Sequence, residues 1–235
     1  MTMLSDYSRR TVALLVLVVL AAIPVTAQRK PDSEAPTLRI YLARHGQTDW
    51  NLEGRTQGGK DIPLNETGKQ QAQQLKARLA GIALSTVYSS TLSRSRQTAE
   101  IVHGQTPIVS LPNLKERSFG KFEGRLREDP ETGPQLKTRQ WIPDDSLDGG
   151  ESLNAWRERV KTAIDTIRKQ HTSGSILIVG HDYTNRMILS VLFGLTVEQM
   201  QSFEQSNDEL YLIELQSGTS PRLWKLITGA NIKDL

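Results

Sequence analysis

Strand-like and helix-like patterns alternate along the chain from residue 38 onwards. Short apolar runs bounded by turn residues predict strands at residues 38–43, 86–88, 107–111, 175–179, 209–215 and 222–228. Apolar positions at helical spacing predict helices at residues 67–79, 94–102, 153–167 and 182–193. Strands that alternate with helices of this length indicate an α/β fold with a mostly parallel sheet. The run at 175–179 is almost wholly apolar, as expected for a central strand covered on both faces.

One long segment, residues 112–150, lacks regular periodicity and contains four prolines. A stretch of this kind inside a compact domain is usually a functional insertion, so we expect it to form a lid or one wall of a binding site. Its basic residues offer a second anion site, although solvated surface charge is the simpler interpretation; they are Arg125, Arg127, Lys137 and Arg139. Trp141 either stacks on a ligand or packs against the core.

The N-terminal segment has the three parts of an export signal. Arg9 and Arg10 precede an apolar run at residues 12–23, and small residues follow up to Ala27. The run is shorter than a membrane-spanning helix, which needs about 20 residues. We therefore expect residues 1–27 to be a Sec-type signal peptide cleaved after Ala27, with an uncleaved anchor as the alternative. The mature protein is then secreted or periplasmic, without stable membrane association after cleavage.

The rest of the chain is predicted to be a linker and one folded domain. Residues 28–37 are polar and contain two prolines, as a linker does, and residues 38–235 form the domain. The absence of cysteine excludes disulfides, thiolate metal ligands and a cysteine nucleophile. The formal net charge is +3 and no basic run is interleaved with aromatics, so we expect no nucleic-acid partner. The sequence does not indicate an oligomeric state.

Two of the four histidines follow predicted strands directly. His45 comes after the first strand, and His181 comes after the strand at 175–179. Ligands of open α/β sheets bind beyond the carboxyl ends of the strands, so both histidines are expected at a binding site. His103 and His171 lie near predicted helix ends and are interpreted as surface or capping residues.

The neighbours of His45 favour a phosphate site. Arg44 supplies a guanidinium suited to bidentate contact with phosphate, and Gly46 lets the backbone approach a ligand closely. Asn51 adds a donor in the same loop, and Arg94 follows the second strand toward the same rim. Two arginines and two histidines, without a carboxylate cluster for a metal, indicate metal-independent phosphoryl transfer to a histidine.

Phosphoryl transfer to a side chain also requires a general acid that protonates the leaving alkoxide. Three carboxylates lie in suitable parts of the sequence, namely Glu116, Glu123 and Asp182. Their residue types and positions alone do not choose among them.

Five motifs follow one another along residues 38–215. They are Arg44-His45-Gly46-Gln47-Thr48-Asp49-Trp50-Asn51; Gln57-Gly58 with Asp61-Ile62-Pro63-Leu64-Asn65 and Gly68; Tyr88-Ser89-Ser90 with Leu92, Arg94 and Gln97-Thr98-Ala99; Leu114 and Glu116 with Phe119-Gly120 and Glu123-Gly124; and Gly149-Gly150-Glu151-Ser152 ahead of His181. In this order they resemble the histidine phosphatase superfamily, also called phosphoglycerate mutase-like, and in particular the phosphatases of its branch 1.

The resemblance implies a three-layer α/β/α sandwich and a metal-independent phosphatase that needs no cofactor and takes a small phosphorylated substrate. It makes His45 the nucleophile that becomes phosphohistidine, and Glu116 the proton donor. By the same resemblance, the residues that bind substrate are Arg44, Arg94 and His181 at the phosphoryl group, Asn51 assisting, and Gln57 and Gly58 on the substrate side.

One position departs from the common pattern of the family. Many members have His-Gly at the second histidine, whereas this chain has His181-Asp182. A similar His-Asp occurs in the acid phosphatase and phytase branch, where the aspartate is the proton donor. Because the opening motif differs from that branch, Glu116 is the preferred acid and Asp182 the alternative. A structural role for Asp182 at a helix N-terminus is a further alternative.

The leading hypothesis for function is hydrolysis of a small phosphomonoester, with water attacking the phosphohistidine. A phosphoglycerate mutase-type transfer is the first alternative, but Phe119-Gly120 and residues 149–152 resemble the phosphatase members more closely. A non-catalytic phosphate-binding protein is the second alternative. Such a relative is expected to lose His45 or an arginine of the phosphate site, and this chain retains them. The sequence does not identify the physiological substrate.

Overall fold

The computed structural model describes residues 35–226. Its strands are β1 Thr37–Arg44, β2 Leu84–Ser89, β3 Ile108–Ser110, β4 Gly174–Gly180, β5 Leu210–Gln216 and β6 Arg222–Leu226. Its α-helices are α1 Asp49–Leu52, α2 Glu66–Arg78, α3 Ser93–Val102, α4 Thr132–Arg139, α5 Leu153–Gln170, α6 Asp182–Phe193 and α7 Val197–Gln201. The predicted signal peptide (1–27), most of the predicted linker (28–37) and the end of the last predicted strand (222–228) lie outside the described residues.

The six described strands form one sheet in the order β3-β2-β4-β1-β5-β6. β1 to β4 are mutually parallel, whereas β5 is antiparallel to both of its neighbours, β1 and β6. The prediction of a mostly parallel sheet is therefore confirmed. In the register, Arg44 of β1 lies opposite Gly180 of β4, and Ser89 of β2 lies opposite Val179. The carboxyl ends of these three central strands are thus level, which brings the residues that follow them together.

The side chains of β1 alternate between two helical layers. Leu38, Ile40 and Leu42 pack in the core beneath α5 and α6. Tyr41 and Ala43 point to the opposite face and pack in the core beneath α2 and α3. Each buried aliphatic side chain contributes roughly 1.5–3 kcal/mol to this packing. The three-layer α/β/α sandwich implied by the family resemblance is confirmed.

The segment from 112 to 150 is more ordered than its sequence suggests. It contains α4, which was not predicted because Pro130 and Pro134 flank and enter it. Pro134 lies in the first turn of α4, where a backbone N–H has no helical partner to lose. The segment packs over the sheet edge through a cluster of Phe119, Phe122 and Leu147. This segment, which we call the covering segment (residues 112–150), therefore lies folded over the carboxyl ends of the central strands.

Helix α7 was also not predicted, because five residues are too few for apolar periodicity. Its N-terminus carries a capping box between Thr196 and Gln199, which is the sequence feature that marks it. Within residues 35–226, no helix combines the length and apolar character needed to cross a membrane.

Candidate active site

His45 is buried at the carboxyl end of β1. Its Nδ1 lies 2.7 Å from the carbonyl oxygen of Gly46, and its Nε2 accepts a hydrogen bond from Nε of Arg94 at 3.2 Å. A carbonyl oxygen only accepts, so Nδ1 carries the ring proton and Nε2 presents its lone pair. Burial, together with the charges of Arg94 and Arg44, lowers the pKa of His45 well below its usual value. The ring is therefore neutral at pH 7, with Nε2 available as a nucleophile.

The loop after β1 is pressed against the start of α2. A methyl group on Gly46 would overlap the carbonyl oxygen of Gly68, and one on Gly68 would overlap the carbonyl oxygen of Gln47. The N–H of Gly46 donates to the hydroxyl of Thr98 at 3.1 Å. Two glycines at this contact allow the chain to turn immediately after His45.

Arg94 is buried in the first turn of α3, and its guanidinium is held on two sides. One terminal nitrogen donates to the carbonyl of Lys60 at 2.7 Å, and the other donates to the carbonyl of Gly58 at 2.9 Å. Burial lowers the pKa of Arg94 to about 10, which leaves it charged at neutral pH. Its Nε–H is directed at His45 by these bonds.

Arg44, the other predicted phosphate ligand, ends β1. One of its terminal nitrogens donates to the carbonyl of Gln205 at 2.8 Å and lies 4.0 Å from a carboxylate oxygen of Asp182. Burial lowers its pKa, and the charge of Asp182 opposes that effect. Arg44 and Arg94 thus bring two guanidinium groups to the same side of His45.

His181 follows β4 and is fully buried beside His45, with the two ring centroids 5.1 Å apart. Burial and the charges of Arg94, His45 and Arg44 lower its pKa well below the usual value, so it is neutral at pH 7. It occupies the N-cap position of α6 but makes no side-chain capping bond to the helix.

Glu116 provides the cap that His181 does not. Its carboxylate accepts from the backbone N–H of Thr184 at 2.9 Å and from that of Tyr183 at 3.1 Å, both in the first turn of α6. Burial and the neighbouring charge of Asp182 raise the pKa of Glu116, which favours the protonated form a general acid needs.

The other two acid candidates have different surroundings. Asp182 accepts a hydrogen bond from Nε of Arg186 at 3.0 Å, and the same carboxylate oxygen lies 2.9 Å from a terminal nitrogen of that guanidinium. Glu123 accepts from the N–H of Gly59 at 2.8 Å and from the N–H of Phe119 at 3.0 Å. Glu123 therefore fastens the loop that holds Arg94, whereas Asp182 faces the same cavity as Glu116.

Most of the predicted site residues line one cavity of about 160 Å³. Those lining it are Arg44, His45, Asn51, Gln57, Gly58, Arg94, Glu116 and Asp182. His181 lies against His45 and does not line the cavity. The oxygen of the Asn51 amide accepts from the N–H and the hydroxyl of Thr48, which leaves the amide nitrogen for a ligand.

The covering segment supplies the opposite wall of the cavity. Its Phe119 and Leu136 contribute apolar surface, as does Tyr183 of α6, and its Arg127 and Lys137 contribute positive charge. Of these, Tyr183 was missed by the sequence analysis, although its position beside His181-Asp182 in a first helical turn is a usable indication.

The sequence analysis left two interpretations open for the basic residues of the covering segment and two for Trp141. The contacts of Arg139 and Trp141 bear on them. Arg139 pairs with Asp145 at 2.7 Å and with Asp148 at 2.8 Å, away from the cavity lining. Trp141 stacks on Tyr183, with ring centroids 6.0 Å apart, so it packs behind the wall.

Three buried or half-buried side-chain amides donate hydrogen bonds to the backbone at the end of β1. We call them the amide clasp; they are Asn185, Gln205 and Asn207. Asn185 donates to the carbonyl of Ala43 at 3.0 Å and to the side-chain oxygen of Gln205 at 2.7 Å. Gln205 donates to the carbonyl of Leu42 at 2.9 Å.

Asn207 completes the amide clasp by donating to the carbonyl of His45 at 2.6 Å. Because the backbone oxygen of Gln205 also accepts from Arg44, the clasp fixes both the strand end and a predicted phosphate ligand. No sequence motif identified these amides.

Within residues 35–226, no three histidine, aspartate or glutamate side chains converge in a way that could hold a metal ion. The charged side chains that line the cavity are Arg44, Arg94, Glu116 and Asp182 around His45, together with Arg127, Glu128 and Lys137 from the covering segment.

Comparison with known proteins gives consistent results. A profile of the family described as histidine phosphatase superfamily (branch 1) matches residues 40–226. The chain is 31% identical over 157 residues to an uncharacterised phosphatase, PhoE, of Bacillus subtilis, which covers 66% of this chain and 77% of that protein. It is 34% identical over 164 residues to a probable phosphoglycerate mutase, GpmB, of Escherichia coli, which covers 67% of this chain and 76% of that protein.

Among solved structures, an α-ribazole phosphatase from Shigella flexneri superposes on the chain with a TM-score of 0.69 at 29% identity. The superposition covers 80% of this chain and 95% of that one. The family match thus runs from within β1 to the end of β6, and the relatives' names include both phosphatases and a mutase.

Proposed function

The chain belongs to branch 1 of the histidine phosphatase superfamily, and on that premise we propose that it hydrolyses a small phosphomonoester through a phosphohistidine on Nε2 of His45. Enzymes of this family need no metal ion. The observation that carries the proposal is the neutral, buried His45, whose Nε2 lone pair faces a cavity lined by Arg44 and Arg94. A nucleophile and two cations at one point are what transfer of a phosphoryl dianion requires.

In the first step, Nε2 of His45 forms a bond to phosphorus while the bond from phosphorus to the ester oxygen breaks. Glu116 gives its proton to the departing alkoxide, which leaves as an alcohol. In the second step, water attacks the phosphohistidine, Glu116 takes a proton from that water, and inorganic phosphate is released. The first step leaves Glu116 deprotonated and His45 phosphorylated, and the second step returns both side chains to their starting states.

The cationic groups act on the phosphoryl oxygens during both steps. Arg44 and Arg94 are held by backbone carbonyls before substrate arrives, so little reorganisation accompanies binding. The free amide nitrogen of Asn51 adds a neutral donor at the cavity wall. In this scheme Asp182 acts by its charge, which adds to the effect of burial in raising the pKa of Glu116.

A mutase is the second candidate, favoured by the 34% identity to GpmB. Release of inorganic phosphate from p-nitrophenyl phosphate, without any bisphosphate present, supports the hydrolase. Interconversion of 2- and 3-phosphoglycerate without phosphate release would favour the mutase instead.

The decisive experiment traps the intermediate. Protein exposed to a ³²P-labelled phosphomonoester and denatured in alkali should carry a label that acid removes, as phosphohistidine does. H45N should lose this label and the turnover, whereas H103N, in which a histidine far from the cavity is changed, should keep both. Phosphate binding with neither label nor turnover would mean a non-catalytic phosphate-binding protein.

We also propose that residues 1–27 direct export and are removed. The proposal is supported by Arg9, Arg10 and the apolar run at 12–23, followed by small residues up to Ala27. The protein recovered from the periplasm or medium should begin at Gln28. A membrane-bound form that retains residue 1 would contradict cleavage and support the anchor.

A further inference from the structure

Ser90 lies fully buried just after β2, and its hydroxyl oxygen is 2.8 Å from Nε2 of His181. The same oxygen accepts a bond from the backbone N–H of Leu92 at 3.2 Å. The backbone N–H of Ser90 donates to the hydroxyl of Ser95, whose own proton goes to the carbonyl of Val179 at 2.7 Å. The hydroxyl is thus fixed between the ends of β2 and β4.

The hydrogen-bond partners of Ser90 determine where the ring proton of His181 lies. The oxygen of Ser90 already accepts from Leu92, and within residues 35–226 its hydroxyl proton has one acceptor in reach, Nε2 of His181. If Nε2 carried the ring proton, the serine would accept twice and its own proton would be buried without a partner, which is costly. The serine therefore donates, and the ring proton of the neutral His181 is on Nδ1.

The other ring nitrogen of His181 is the one without a bond. Nδ1 is buried and, within the described residues, has no hydrogen-bond partner. The ring lies against that of His45, with Arg94 and Arg44 close enough to lower its pKa. His181 does not line the cavity, but its ring packs against His45, where the phosphoryl group would be bonded, so an N–H donor on Nδ1 matches an acceptor that arrives with the substrate. Oxygens of a phosphoryl dianion only accept, so the opposite tautomer would present a lone pair to lone pairs.

We propose that Ser90 is a positioning residue that holds His181 as the neutral Nδ1–H tautomer, so that this N–H donates to an oxygen of the transferring phosphoryl group. The second half of the inference rests on the proposed function, because it needs a phosphoryl group at His45. The first half concerns only the free protein. The assignment makes His181 a neutral donor beside two cationic ones.

The adjacent serine provides a matched control. Ser89 is as buried as Ser90 and its hydroxyl is also hydrogen-bonded, but its partner is the hydroxyl of Ser110 at 2.9 Å. Ser89→Ala and Ser90→Ala therefore remove the same atom from neighbouring buried positions, and only the second removes a contact with His181.

The tautomer is measured by long-range ¹H–¹⁵N correlation NMR of the ¹⁵N-histidine-labelled protein at neutral pH. The expected spectrum gives His181 a protonated Nδ1 and an unprotonated Nε2, both assigned by comparison with H181Q. In S90A the pattern should shift toward a mixture of tautomers, whereas in S89A it should stay as in the wild type. A wild-type ring protonated at Nε2, or at both nitrogens, would overturn the proposal without any activity measurement.

Kinetics test the consequence for catalysis. With p-nitrophenyl phosphate, S90A should lower kcat/KM by about 10- to 100-fold, by analogy with the loss when the orienting partner of a metal-binding histidine is removed. The loss should fall mainly on kcat, because the donor acts on the transferring group, and Ser90→Thr should restore part of it by restoring the hydroxyl. S89A should keep wild-type kinetics. Equal losses in S89A and S90A would reduce Ser90 to a packing role.

The proposed function and the role of Ser90 can be contradicted independently of each other. A wild-type protein that hydrolyses no ester and forms no phosphohistidine contradicts the proposed function, while the NMR spectrum still decides the tautomer. An active wild type with the wrong tautomer contradicts the role of Ser90 alone.

Discussion

Nε of Arg94 donates to Nε2 of His45 at 3.2 Å, so the proposed nucleophile and a proposed phosphate ligand are already in contact before substrate binds. The bond fixes the orientation of the His45 ring at the cavity, and the charge of Arg94 helps to keep the ring unprotonated. Binding of a phosphoryl group would exchange this contact for two new ones, from Nε2 to phosphorus and from the guanidinium to oxygen.

Arg94→Lys should therefore lower kcat/KM by about 10²- to 10³-fold, the cost of removing a preorganised donor from a developing charge. Lysine keeps the charge but cannot bond to His45, Gly58 and Lys60 in the same planar arrangement. The control is Arg96→Lys, two residues along the same helix, where the side chain is exposed and pairs with Glu100 at 3.5 Å. Steady-state kinetics with p-nitrophenyl phosphate would show the contrast, and equal effects of the two changes would refute it.

Substrates with different leaving groups distinguish the roles of Glu116 and Asp182, the two carboxylates at the start of α6. Glu116→Gln should slow hydrolysis of an alkyl phosphate by about 10²- to 10⁴-fold, the usual contribution of a general acid. It should slow p-nitrophenyl phosphate far less, because nitrophenolate leaves without a proton.

Asp182→Asn should remove the charge that raises the pKa of Glu116, and so move the alkaline limb of the alkyl phosphate pH profile to lower pH. Its effect at the pH optimum should be smaller than that of E116Q. If D182N alone produces the large loss specific to poor leaving groups, Asp182 is the proton donor.

The buried histidines predict how stability depends on pH. His45 and His181 have pKa values well below the unfolded value of about 6.5, so from that pH down to the folded values the unfolded chain binds more protons. The free energy of unfolding should therefore fall as the pH drops below 6.5, by up to about 1.4 kcal/mol per pH unit for each histidine. Glu116 acts in the opposite direction, because its pKa is raised.

Urea unfolding at pH 7.5, 6.5 and 5.5 measures this dependence. H45N should have a shallower pH dependence than the wild type, because one of the two buried groups no longer titrates. The aspartates with lowered pKa values, such as Asp165, lose their contribution only at lower pH, below about 4. A wild-type stability that is constant between pH 7.5 and 5.5 would contradict the prediction.

The amide clasp should influence the rate more than the stability. Asn207→Ala removes the bond to the carbonyl of His45 and should lower kcat by about tenfold through misplacement of the nucleophile. Its cost in stability should be near that of one hydrogen bond, about 0.5–1.5 kcal/mol. Asn154→Ala removes a comparable bond, to Asp144 at 2.9 Å on the surface, and should leave kcat unchanged. A loss of stability in N207A without a loss of kcat would show that the clasp is structural only.

Local patterns in the sequence predicted most elements and several site residues. The bounds of α6, residues 182–193, are those predicted from the sequence. Arg44, His45 and Arg94 could be placed because each directly follows a strand or begins a helix at one sheet edge. Helix α4 was missed because two prolines dominate its local pattern, although Pro134 is compatible with a first turn.

Local patterns could not predict the contacts that orient the site residues and decide which side chains reach the cavity. Ser90 and His181 are 91 residues apart, and Asn207 and His45 are 162 apart. Such pairs depend on the strand order and register, which no local pattern encodes. The placement of Arg127 in the cavity wall and of Arg139 outside it follows from the fold of the covering segment, and both residues look alike in the sequence.

The reversed direction of β5 also bears on when the protein becomes an enzyme during its synthesis. Because β5 enters the sheet from the edge where β1 ends, the loop that precedes it crosses directly behind Arg44 and His45. A growing chain that has just completed β1 carries the proposed nucleophile, but Asn207 of the loop that fixes it is made 162 residues later, and β5 follows that loop. Phosphoryl transfer is therefore acquired only after the last third of the domain has been made and folded. A protein fragment that stops before β5 should be catalytically silent even though it contains His45, Arg94, Glu116 and His181.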